Sequence, residues 1–126
     1  LSPEEPYTDG RAWNDPNTQK VVILLTDGEN VIFGQNSATQ GPTTHNRSDY
    51  SSVGYLARNR LGTNDPNVAK TRLLDKVGQI CTSLKQKAGE KDKALVYTIT
   101  FEIPSTALAN AFRACATRPD MYYDSP

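Results

Sequence analysis

"KVVILLTDGEN", residues 20–30, decides how the rest of the chain is read. Five apolar residues, Val21 to Leu25, run directly into Thr26, Asp27, Gly28, Glu29 and Asn30. Both alternating sets, Val21/Ile23/Leu25 and Val22/Leu24, are apolar, the pattern of a parallel strand covered on both faces. Its acidic exit has two readings. In one, Thr-Asp-Gly is a turn, with Gly28 supplying a positive φ and Asp27 bonding backbone amides. In the other, Asp27 stands at the carboxyl end of a parallel strand, where α/β sheets gather ligands, with Thr26 or Glu29 beside it. Three letters alone favour the turn.

Downstream, the apolar positions between Ala69 and Ala88 are Leu73, Leu74, Val77, Ile80, Cys81 and Leu84. Steps of three and four place them on one stripe of a helix, which Gly89 ends. "ALVYTITFEI", 94–103, is β-branched and aromatic, with Leu95, Tyr97, Ile99, Phe101 and Ile103 on one face of a second strand. Pro104 and Ser105 open a second helix whose shared face is Leu108, Ala111, Phe112 and Cys115. "MYYD", 121–124, reads as a short third strand, with one of Tyr122 and Tyr123 in the core and the other at the rim. Lys85, Lys87, Lys91 and Lys93 are offset by Glu90 and Asp92 and read as a solvated helix end.

Strand, helix, strand, helix, strand specifies an α/β fold with a mainly parallel sheet. Right-handed crossovers between strands in sequential order put both helices on one face. The other face of Val21–Leu25 is then bare. Burying each such side chain is worth about 1.5–3 kcal/mol, so the first 19 residues, further sequence or a second copy of the chain is expected to cover it. Cys81 and Cys115 fall on the two neighbouring helices. Two buried free thiols remain an alternative, but a disulfide is geometrically reasonable and would stabilise by about 3–4 kcal/mol. A disulfide would place the chain outside the reducing cytosol.

Elsewhere the chain is turn-rich. Residues 1–19 carry Pro3, Pro6, Asp9-Gly10 and Asn14-Asp15-Pro16, an irregular lead-in in which Trp13 is the packing anchor. Residues 31–68 form a long polar loop or insertion. Within it "SDYSSVGYLARNRLG" can form a short helix, Ser48 as N-cap and Gly62 as stop. Asn46-Arg47-Ser48 is a sequon that carries little weight. At 126 residues the chain suits one domain. Lys plus Arg and Asp plus Glu are 14 each, so the basic stripe of a nucleic-acid binder is missing. The longest apolar run is too short to span a bilayer. Two cysteines and a lone His45 in a polar loop do not make a structural zinc site.

"VVILLTDGEN" also resembles the fourth strand of a von Willebrand factor A domain, whose TDG supplies one ligand of a metal-ion-dependent adhesion site. "LSPEEPY" (1–7), "YSSVGY" (50–55), "ICTSLKQKAG" (80–89), "VYTITFEI" (96–103) and "RACATRPDMYYDS" (113–125) are similar to the C-terminal half of tight-adherence, TadG-like (Flp-type) pilus-assembly proteins. The resemblance covers nearly the whole of 1–126. It implies a partial von Willebrand A (Rossmann-like) domain holding the last three core strands of the order 3-2-1-4-5-6. It further implies a membrane anchor upstream, a periplasmic, envelope-facing location, and a closing helix after Pro126. The family's Asp-x-Ser-x-Ser motif has no counterpart: "DYSS", 49–52, has the wrong spacing and follows no apolar strand. Only Asp27 carries over as a metal ligand. Mg²⁺ wants about six oxygen donors, so this segment by itself is expected to be metal-free or weakly occupied.

The function expected from this reading is a non-catalytic binding or scaffold module serving pilus assembly and surface adhesion. Its partners would be envelope or pilus-assembly proteins, and a homodimer through the bare sheet face or edge is a further expectation. Thr26, Glu29, Asn30, Tyr50 and Tyr55 are the expected rim. The alternative is a cytosolic A-type partner of a metal-insertion or chaperone ATPase, which would need both thiols reduced. A hydrolase using Asp27 and Glu29 is the weakest reading: His45 has no Ser or Cys partner in motif context, and "AGEKDK" is not a phosphate loop.

Overall fold

The computed structural model describes residues 2–6, 8–28, 31–32, 48, 50–103 and 105–125. Its regular elements are β1 (Val21–Thr26), α1 (Pro66–Leu84), β2 (Lys87–Ala88), β3 (Lys91–Asp92), β4 (Leu95–Phe101), α2 (Thr106–Cys115) and β5 (Tyr122–Ser125). The chain divides into two units, one of Leu1–Gly28 with Val77–Pro126 and one of Glu29–Lys76.

The first unit is built on a parallel sheet of order β1-β4-β5. Register runs from Val21↔Leu95 to Thr26↔Thr100, and from Thr98↔Tyr122 to Phe101↔Ser125. On one face Val22, Leu24 and Val96 pack with Val77, Cys81 and Leu84 of α1 and with Cys115 of α2. Both helices therefore lie on the same side of the sheet, as right-handed crossovers require. The opposite face is open. Val21, Ile23 and Leu25 are 45, 67 and 62 % exposed, and Phe101 and Tyr123 are exposed beside them.

The described residues among the first 19 do not cover that face, which stays exposed. Trp13 lies under the Lys20 ammonium, 3.9 Å from the ring centroid, and its Nε1 donates to Glu4 Oε1 at 3.2 Å. Lys91 Nζ donates to the carbonyls of Asp15 and Thr18. The lead-in is thus tied to the start of β1 and to the β2–β3 hairpin. Within it the Asn17 amide donates to Asp15 Oδ1 at 2.9 Å, and this bond is the main reason the Asp15 carboxyl titrates below its ordinary value.

Four boundaries differ from the sequence reading, each for a local reason. α1 begins at Pro66, not Ala69. Asp65 is its cap, Oδ1 accepting from the amides of Asn67 (2.8 Å) and Val68 (3.0 Å), and proline at the first helical position has no amide to leave unpaired. Asp65→Ala is expected to cost about 1 kcal/mol in urea unfolding, and Asp65→Asn to keep most of that. The helix stops at Leu84, short of Gly89, which at φ 73° opens a two-residue turn to Glu90. "KAGEKD" is therefore a hairpin, closed by a Lys87–Asp92 ion pair at 2.8 Å, and not a helix end.

The helix expected over 48–62 reduces to one 3-10 turn, Leu56–Arg58. Ser48 caps no helix there; its buried hydroxyl accepts from the Leu56 amide at 2.8 Å. Finally, the third strand starts at Tyr122, with Met121 buried in a preceding 3-10 turn. Tyr122 is half-buried and Tyr123 exposed. Ser105 caps α2 through the Leu108 amide, as its position before the apolar face suggested.

β4 carries the less obvious lesson. Its large residues, Leu95, Tyr97, Ile99 and Phe101, line the half-exposed and exposed side, while Val96, Thr98 and Thr100 are the buried set. Two threonines suit a buried central strand here because each hydroxyl has a partner. Thr98 donates to the Phe112 carbonyl at 2.9 Å, and Thr100 to Asp124 Oδ1 at 2.6 Å.

The second unit has its own small core of Ile32, Leu56, Leu61 and Ala69, against which Val53 and Leu73 pack. Gly62 adopts φ 71°, and the Arg72 guanidinium lies against it while donating to the Leu61 carbonyl. A side chain at 62 would therefore meet both strain and a clash.

Candidate functional site

The carboxyl ends of β1 and β4 form the rim of an open cleft of 390 Å³, lined by Leu25, Thr26, Asp27 and Phe101. Parity along β1 explains the grouping. Leu25 faces the open side of the sheet, and Asp27, two positions on, continues that row past the end of the strand. Asp27 is exposed, and among the described residues no hydrogen bond or ion pair engages its carboxylate. The cleft therefore combines two apolar walls with one uncompensated negative charge.

Neither feature of the turn reading is present here. Gly28 is not among the positive-φ glycines, and Asp27 accepts no described backbone amide. Thr26 closes the exit only weakly, its hydroxyl 3.4 Å from the Gly28 carbonyl. Glu29 and Asn30, also expected at this rim, lie outside the described residues, as does His45.

On the helix side of the same sheet end sits a second polar group. Thr100 Oγ1, fully buried, is 2.6 Å from Asp124 Oδ1 and 3.1 Å from the Tyr122 hydroxyl, and the Arg113 guanidinium stands 4.9 Å from the Tyr122 ring centroid. The sequence reading missed this group. Its signal was the pairing of Thr100 with Asp124, which only register reveals. A divalent cation needs about six oxygen donors. Asp124 is already engaged by Thr100, and among the described residues no cluster of three or more His, Cys, Asp or Glu side chains converges. The described set does not fit such an ion, and no chemistry is assigned to one.

The two cysteines are brought together. Cys81 and Cys115 form a disulfide across α1 and α2, with Cα atoms 5.1 Å apart, buried in the cluster that also holds Val96. Tyr50 and Tyr55 belong to the second unit and form an edge-to-face pair, centroids 5.1 Å apart and ring planes at 83°. Among the described residues no helix is long and apolar enough to cross a membrane.

Comparison with protein-family models, with curated proteins and with solved structures finds no match. The site is read from its own residues.

Proposed function

We propose that this chain is a von Willebrand factor A-type binding or scaffold module of the tight-adherence, TadG-like kind, acting at the bacterial envelope without catalysis. The observation that carries the reading is the row Val21–Ile23–Leu25, left open on a parallel sheet and ending at the uncompensated Asp27 carboxylate. Monomeric proteins seldom leave contiguous apolar patches of more than a few hundred Å² bare, and larger ones mark contact surfaces. The sequential parallel order β1-β4-β5 is the order that strands four to six of that domain would have. The Cys81–Cys115 bond suits an oxidising compartment.

Asp27→Ala in the full-length protein carrying this segment tests the reading. Partner or surface binding should fall about tenfold, the loss expected for removing a charge-assisted contact worth ~1.5 kcal/mol. Unchanged binding would reduce Asp27 to a surface residue. Mass measurement of the protein taken directly from cells, with and without reductant, tests the location. A chain two hydrogen atoms heavier only after reduction supports the envelope, whereas thiols found already reduced support the cytosolic alternative.

A further inference from the structure

The open face of the sheet is apolar along its length and ends in a carboxylate. Neighbours in register share a face, so Leu25 of β1, Ile99 of β4 and Tyr123 of β5 stand side by side across it. At its carboxyl end Leu25, Thr26, Asp27 and Phe101 line one cleft. Residues 21–25, 95–101 and 123–125 contain no lysine or arginine, and among the described residues no cation pairs with Asp27. An occupant of this surface must therefore be apolar and carry a cation at one end. A second copy of the same face does not supply one. Under two-fold packing Asp27 would meet either its own mate or the opposite end of the rows, where Lys20 and Lys93 are already turned onto the Trp13 ring. A charge buried without a partner is strongly unfavourable.

Resting on the reading of that face as a contact surface, we infer that its occupant is a basic amphipathic helix of a partner protein, with a lysine or arginine of its first turn in the Asp27 cleft. Parallel sheets in α/β folds are covered by helices on both faces. A crossover helix such as α2, which returns from β4 to the parallel β5, runs against the strands. A helix laid on the open face in the same sense brings its amino terminus, the positive end of its dipole, to the carboxyl ends of the strands, where Asp27 stands. From Val21 to Asp27 the row spans about 20 Å, so about 13 helical residues cover it. Their apolar stripe recurs at steps of three and four and lies over Val21, Ile23 and Leu25. The aliphatic stem of the basic residue packs on Leu25 and Phe101 while its charged head reaches the carboxylate.

The experiment titrates the ¹⁵N-labelled chain with three capped helical peptides of about 14 residues. They share one leucine stripe and differ only in a first-turn residue, which is arginine, glutamine or glutamate. The arginine peptide should shift amides of residues 21–27, 95–101 and 123–125, with a dissociation constant of about 0.1 mM. It should bind about tenfold more tightly than the glutamine peptide. Asp27→Asn should remove that preference and leave the glutamine peptide unaffected, whereas Ile23→Thr should weaken both about threefold. Mg²⁺ or a chelator should change neither. Unchanged spectra elsewhere in the variants verify folding. No binding up to about 2 mM, an arginine preference that is absent or that survives Asp27→Asn, or tighter, Mg²⁺-dependent binding of the glutamate peptide would each overturn the inference. So would concentration-dependent shifts of the same face in the chain alone, which assign it to a second copy. The Asp27→Ala test in the full-length protein is separate: a fall in binding there, with no response to the arginine peptide, keeps the contact surface and removes only the basic helix.

Discussion

Replacing Cys81 and Cys115 together by alanine should lower the stability of the chain by about 4 kcal/mol, as read from urea unfolding. The 34-residue separation sets that figure, since the unfolded chain regains the loop entropy that the bond removes. The loss is large against a typical total of about 5–15 kcal/mol. It is magnified in importance here because the disulfide lies in the small cluster joining both helices to the sheet. Reductant should impose the same loss on the parent and none on the double variant. A loss of less than about 1 kcal/mol in both tests would show that the two sulfurs do not hold the helices together in solution.

A second large effect comes from the opposite ends of the burial scale. Met121 is 1 % exposed and among the largest fully buried side chains. Met121→Ala should cost about 3 kcal/mol, within the range for emptying a packed site of that size. Ile23→Thr keeps β-branching on the open face and should change stability by less than about 0.5 kcal/mol. The contrast is informative. A cost of about 2 kcal/mol for Ile23→Thr would mean that this face is covered in solution.

The parts of the fold legible in sequence are those written in side-chain period. The doubly apolar run Val21–Leu25 announced a parallel strand, and the step of three and four through Val77, Cys81 and Leu84 announced the helix above it. Together they led to one covered and one bare face, which the exposures of Val21, Ile23 and Leu25 show. The parts misread were written in single-residue chemistry. Asp65-Pro66 was passed over as a cap, and Gly89 was taken as a stop although it begins a hairpin. The buried side of β4 was not legible, because hydropathy ranks Leu95 and Phe101 above Thr98 and Thr100. It takes tertiary partners, the Phe112 carbonyl and Asp124, to make threonine an inside residue. At the candidate site, Asp27 could be placed by strand direction alone. That Phe101 would join it could not, because the pairing of β1 with β4 spans some seventy intervening positions.

The placement of Trp13 has a practical consequence. It is the only tryptophan in the chain, and it lies under the Lys20 ammonium at the foot of β1. Its emission therefore tracks the docking of the lead-in, while far-ultraviolet circular dichroism tracks helices and strands. Followed side by side, the two optical probes separate peeling of the amino-terminal arm from melting of the body. Superimposable curves would instead mark arm and body as one cooperative unit.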